Sequence, residues 1–99
     1  MARTFAIVLA PEAVEDLERL RANLRADVRA ALETHLRREP ANASRGRIER
    51  LRGIRQPQYR LRVGEVRIFY DATGATVQIL AIVAKAEADR WLARSANPE

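Results

Sequence analysis

The sequence predicts an α+β fold, a helix hairpin packed on a small antiparallel sheet in the order β-α-α-β-β-β, closed by a short C-terminal helix. Three observations carry this. Apolar residues recur at steps of three and four between Val14 and Leu36, the spacing of one helical face. Two runs, Tyr59 to Val63 and Val66 to Tyr70, alternate apolar and other residues around Gly64-Glu65, as strands of a hairpin do. A third run, Thr76 to Val83, is apolar on both faces near its end, as a central strand is. Ninety-nine residues predict one domain, residues 1–99.

The elements follow in order. Phe5, Ile7 and Leu9 alternate with Thr4, Ala6 and Val8 over residues 3–9, predicting a largely buried strand. Pro11 suits a first helical position. Glu12, Glu15 and Asp16 then place negative charge at the positive end of the helix dipole. The stripe Val14, Leu17, Leu20, Leu24, Val28, Ala31, Leu32 and Leu36 predicts about 27 helical residues with a break near Asn23, ended by Arg37-Arg38 before Glu39-Pro40. Residues 39–57, punctuated by Pro40, Asn42, Ser44, Gly46, Gly53 and Pro57, read as a loop-like basic connector anchored by Ile48, Leu51 and Ile54. Gly64-Glu65 fits a two-residue type II′ turn, with glycine at its first central position. A Thr73-Gly74 turn leads into the last strand. Ala84 to Ala93 forms the short helix, with Ala88, Trp91 and Leu92 as its apolar positions, and residues 95–99 read as frayed.

Charge is unevenly spread. Residues 37–67 hold ten arginines against three acids, a local +7 that leaves −2 for the rest of a chain of net +5. Such a stretch points to a polyanionic partner, and guanidinium suits bidentate phosphate contacts. The absence of cysteine excludes a disulfide framework, a thiolate metal site and a cysteine nucleophile. No apolar run approaches the ~18 residues of a spanning helix. The N-terminus reads as mature sequence rather than a signal peptide, and the chain as cytoplasmic.

The hairpin arithmetic is the central inference. With Gly64 and Glu65 in the turn, Val63 pairs with Val66, Arg62 with Arg67, Leu61 with Ile68, Arg60 with Phe69 and Tyr59 with Tyr70. Period two then puts Tyr59, Leu61, Val63, Val66, Ile68 and Tyr70 on a face toward the helices, and Arg60, Arg62, Arg67 and Phe69 on the other. Like charges directly opposite cost up to roughly 1 kcal/mol, so their convergence predicts an anion between them. Phosphate is the obvious one, with Phe69 beside it for base stacking. Carrying the register through Thr73-Gly74 pairs Tyr70 with Val77 and Ile68 with Ile79, and puts Gln78, Leu80 and Ile82 on the arginine side. His35, the lone histidine, lies beside the helical stripe and reads as structural.

Leu51-Arg52-Gly53 followed by Tyr59-Arg60-Leu61-Arg62-Val63-Gly64-Glu65-Val66-Arg67-Ile68-Phe69-Tyr70-Asp71 resembles the signature of the RelE/ParE toxin superfamily of bacterial toxin–antitoxin systems. The order of elements matches that fold over nearly the whole chain. The resemblance implies a ribosome-dependent mRNA endonuclease that inhibits translation, working without metal or other cofactor, in which a ribose 2′-hydroxyl attacks the adjacent phosphate. By position it implies catalytic roles for four residues. Arg60 places the RNA backbone, Arg62 and Arg67 stabilise the developing charge, and Lys85 donates a proton or binds phosphate. Arg45, Arg47, Arg50, Arg52 and Arg55 would hold ribosomal RNA by charge, with strong salt dependence. The implied partners are the ribosome and mRNA, and a cognate antitoxin that covers the basic face in a hetero-oligomer.

The sequence also departs from the family pattern. Val66 stands where an aromatic is common, and Ala86 replaces a frequent arginine. Trp91 or Leu92 falls where relatives carry a C-terminal tyrosine. Arginine cannot serve as a general base; the few groups that could move a proton near this site are Lys85, Glu65 and the tyrosines Tyr59 and Tyr70, both of which read as inward-facing core residues. Two alternatives follow: a ParE-like non-catalytic inhibitor of DNA gyrase, and a non-toxic member that only binds antitoxin.

Overall fold

A computed structural model describes residues 4–43 and 46–99. Strand β1 (Ala6–Leu9) leads into helices α1 (Pro11–Arg19) and α2 (Ala22–Ala31), and α2 continues as a π turn over Leu32–Leu36. Then come β2 (Ile48–Arg50), β3 (Ile54–Gln56), β4 (Tyr59–Val63), β5 (Val66–Thr73) and β6 (Thr76–Ala84). A 3₁₀ turn (Lys85–Glu87), helix α3 (Ala88–Ser95) and β7 (Asn97–Pro98) complete the chain. The main sheet runs β1-β6-β5-β4-β2, and β3 with β7 forms a second, two-stranded sheet. The predicted α+β architecture holds, and its β1–β6 pair is parallel. Among the described residues no helix is long and apolar enough to cross a membrane.

The helices part at Leu20 and Arg21, both extended with ψ near 150°, close to the expected break. α1 buries Ala13 and Leu17 and leaves Val14 42 % exposed, so the buried stripe begins one residue earlier than predicted. β1 is an edge strand, with Val8 49 % exposed, rather than largely buried. Beyond the Leu9–Ile79 pair β1 gives way to the helix. Asp16 of α1 then accepts the Ile82 N–H at 2.9 Å, replacing a strand partner that is no longer there. Burial raises the Asp16 carboxyl above its ordinary range, and that hydrogen bond opposes the rise.

The β4–β5 register is the predicted one at all five pairs, Tyr59–Tyr70 to Val63–Val66. Gly64 has φ +56° and no non-glycine residue takes positive φ among the described residues, as a II′ turn requires. The β5–β6 register differs from expectation. The turn is Gly74-Ala75, so Thr73 pairs with Thr76, and a bulge at Leu80 shifts the pairing from Tyr70–Ile79 to Phe69–Ala81. One extra residue reverses the side-chain parity of everything beyond it. Ile82 therefore faces the helices, while Ala81 and Val83 face the other way.

Two cores result. The first joins Ala13, Leu17, Val28, Leu32 and Leu36 of the helices to Ile48, Leu61, Val66, Ile68, Tyr70, Val77, Ile79 and Ile82. The second, on the opposite face, joins Leu51, Phe69 and Ala81 to Ala88 and Trp91 of α3. Residues 39–57 are not a plain loop: they hold two short strands, whose apolar residues Ile48, Leu51 and Ile54 do pack on the cores. The C-terminus is not frayed either. Gln56 pairs with Asn97, and the Glu99 N–H reaches Gly53 O at 3.2 Å. Strands of two or three residues carry no readable period, which is why all three escaped the sequence.

Tyr70 is fully buried and its hydroxyl donates to Pro40 O at 2.5 Å. Burial, reinforced by Tyr59 stacked on it at 5.4 Å, pushes its pKa far above the ordinary value. Above pH about 10 the unfolded chain loses this proton while the folded chain keeps it. Stability is therefore expected to fall with rising pH there, by up to ~1.4 kcal/mol per pH unit, seen as a declining urea midpoint between pH 9 and 11. Tyr70→Phe is expected to remove the Tyr70 part of that slope and to cost about 1–3 kcal/mol at neutral pH, because Pro40 O is left unpaired.

Candidate nucleic-acid interface

The β4–β5 hairpin places its arginines. On the face away from the helices α3 covers only the β5–β6 end, through Phe69, Ala81 and Leu80. The turn end is left to Arg60, Arg62 and Arg67. These three, with Gly46, Arg47 and Glu49, line a pocket of about 110 Å³. The Arg62 N–H donates to Arg47 O at 2.9 Å, which seats Arg47 beside β4.

Each arginine is held differently. Arg67 is only 9 % exposed. Its Nη1 donates to Gly64 O at 2.8 Å and to Val66 O at 3.0 Å. These acceptors are neutral, so they fix the guanidinium without cancelling its charge. Arg60 is ion-paired with Glu49, its direct neighbour across the β2–β4 ladder. Arg62 and Arg47 are exposed and have no carboxylate partner among the described residues. Four guanidinium groups and one carboxylate leave the lining at +3, a field that attracts a phosphodiester.

The other expected site residues fall elsewhere. Phe69 is fully buried and stacks on Trp91 at 4.7 Å and 12°. No ring face is open to a base, so its expected stacking role is withdrawn. Arg50 points to the opposite face of the sheet: its guanidinium lies 5.3 Å over the Tyr59 ring and its Nη1 donates to Gln58 O. Arg52 and Arg55 are exposed but outside the pocket. Lys85 is exposed just past Ala84, its backbone N–H on Glu65 O at 2.7 Å, and does not line the pocket. Arg45 lies outside the described residues. Trp91 packs within its own domain and donates from Nε1 to Glu12 at 2.7 Å.

Sequence reasoning missed Glu49. It is the one carboxylate among the lining residues, and only the pairing of β2 with β4 brings it there. Ile48-Glu49-Arg50 does alternate an apolar residue with a polar one, but three residues inside an arginine-rich connector are too few to signal a strand.

Comparison with known proteins bears on the family and the fold. A sequence model of the family described as ParE toxin of type II toxin–antitoxin system, parDE, matches residues 7–88. The chain belongs to this toxin family. As a RelE/ParE-superfamily toxin it shares its fold with the toxin–antitoxin complex RelBE2 from Mycobacterium tuberculosis, at 24 % identity and a TM-score of 0.68 over 87 % of this chain and 97 % of that one. The RelB–RelE antitoxin–toxin complex from Methanococcus jannaschii is similar at 19 % identity and a TM-score of 0.65, over 85 % and 96 % of the two chains. HP0894 from Helicobacter pylori is similar at 13 % identity and a TM-score of 0.60, over 85 % and 98 %. None of the curated protein sequences matches.

Proposed function

We propose that this toxin cleaves mRNA on the ribosome, in the cytoplasm, through 2′-hydroxyl attack on the adjacent phosphate. The observation that carries the reading is the pocket in which Glu49, ion-paired to Arg60, faces the unneutralised charges of Arg62 and Arg67. Glu49 takes the proton of the attacking hydroxyl. The 2′-oxygen–phosphorus bond forms as the bond to the 5′-oxygen breaks, leaving a 2′,3′-cyclic phosphate. Arg62 and Arg67 stabilise the charge on the phosphorane, the term that usually contributes most. Arg60 orients Glu49 and the RNA backbone. The leaving 5′-oxygen collects its proton from water, since Lys85 is not among the lining residues. Arg47 extends the charged track.

The partner that restrains this activity is a cognate antitoxin with an acidic or amphipathic segment that covers the basic face. The similarity to antitoxin–toxin complexes supports it.

Glu49→Gln is expected to lower cleavage of ribosome-bound mRNA by about 10²–10⁴-fold, the usual worth of a general base, with the circular dichroism spectrum unchanged. Primer extension on mRNA from a purified translation system reads this directly. A second reading, inhibition of DNA gyrase without catalysis, is favoured by Trp91, which is buried in the second core where relatives carry a proton-transferring side chain. Loss of supercoiling by purified gyrase, with mRNA left intact, decides for it.

A further inference from the structure

Beside the sheet-face pocket lies a larger cleft, about 360 Å³, between the π turn that ends α2 and the start of β2. Thr34, His35, Arg38, Glu39 and Arg47 line it over a floor of Ile48. Arg47 lines both cavities, so they adjoin at that residue. We propose that this cleft is a second RNA subsite, which holds the single strand flanking the nucleotide on the sheet face: Arg38 and Arg47 on phosphate oxygens and the His35 imidazole on a ribose hydroxyl or base edge.

The neighbouring charges separate structural groups from free ones. Arg37, next in sequence, is used by the fold, paired with Glu33 and donating to Phe5 O at 2.9 Å. Arg38 and Arg47 are exposed and have no carboxylate partner among the described residues. Glu39, the cleft's one carboxylate, accepts from Asn42 Nδ2 at 2.9 Å. His35 faces Arg47 as well as Thr34, Arg38 and Glu39. Burial, with the charge of Arg47, holds its pKa below the ordinary value. Both effects favour the neutral imidazole, with one N–H to give and one lone pair to receive, which suits a ribose hydroxyl or a base edge. The widened π turn presents Thr34 and His35 to the cleft, and such turns recur at functional sites.

This inference rests on the proposed RNA reading, and the experiment separates the two. His35 is the one histidine in the chain, so its ring protons give an unambiguous NMR signal. The full chain is titrated at low salt with an eight-nucleotide single-stranded RNA made uncleavable by 2′-deoxy substitution at one position. The expected result is a shift of the His35 resonances on binding and a rise of its pKa as phosphate offsets Arg47. Arg38→Ala and His35→Gln should each weaken affinity about three- to tenfold. Binding that depends on Arg67 but leaves the His35 resonances still overturns the second subsite and keeps the sheet-face site. An equal shift with all-deoxy DNA of the same sequence overturns the assignment to ribose, and an equal shift with a polyglutamate peptide overturns the assignment to nucleic acid. No binding of the RNA at all overturns both sites.

Discussion

Arg67→Ala is expected to reduce mRNA cleavage by about 10²–10³-fold, the measured worth of one well-placed donor to a developing oxyanion. Growth arrest on induction should disappear with it. The reason is how Arg67 is held. Two backbone carbonyls of the hairpin turn fix the guanidinium at 2.8 and 3.0 Å, so phosphate meets a group already in place and little rotamer entropy remains to be lost. The same bonds predict a modest structural cost. The Gly64 and Val66 carbonyls lose a donor; water can replace it at exposed Gly64 but not at buried Val66, so about 1–3 kcal/mol is the scale, that of one buried acceptor left unpaired. Arg67→Lys separates charge from geometry: lysine keeps the charge without the planar fork and is expected to restore a fraction of the rate. Unfolding midpoints and antitoxin binding are measured alongside. Wild-type cleavage by a folded Arg67→Ala protein places the phosphate elsewhere.

Trp91→Ala is expected to cost about 3–5 kcal/mol, the range for removing a buried aromatic. For a chain of 99 residues that corresponds to a fall of about 15–30 °C in Tm. The second core is small, with five buried residues, Leu51, Phe69, Ala81, Ala88 and Trp91. Trp91 is its largest member and its bridge to the helical side, through the bond to Glu12. Without the indole, Phe69 loses its stacking partner and α3 loses its main anchor. Trp91→Phe keeps a ring on Phe69 and gives up the N–H, so it should cost markedly less. Thermal melts followed by circular dichroism rank the three proteins. Equal midpoints for Trp91→Ala and wild type show that α3 does not hold this face.

How much could be read from sequence depended on how tightly local chemistry constrained each segment. The β4–β5 register was legible because Gly64 admits one turn geometry and strict alternation follows on both sides. That register alone brings Arg60, Arg62 and Arg67 onto one face. At the next turn the same glycine rule, with Gly74 first in the turn rather than second, gives the observed pairing. The bulge itself was illegible: Leu80, Ala81, Ile82 and Val83 are all apolar, so parity leaves no mark. Phe69 was assigned to the correct face but the wrong role, since a helix covering half of that face leaves no trace in the strand's own pattern. Glu49 stayed hidden because its strand is three residues long and its partner lies eleven positions away.

The extra residue at Leu80 has a consequence for how this chain tolerates change. Ile79 and Ala81 pair with the consecutive residues Tyr70 and Phe69, so loss of Leu80 itself closes the ladder into regular alternation and leaves Ala81 and Ile82 on their own layers. A deletion beyond the bulge, at Ile82, instead turns Val83 toward α1 and α2 and acts as a frameshift of the packing. Length variation among natural or designed homologues should therefore be confined to the bulge and the Gly74-Ala75 turn, and the rest of β6 should keep its residue count even where its residue types drift.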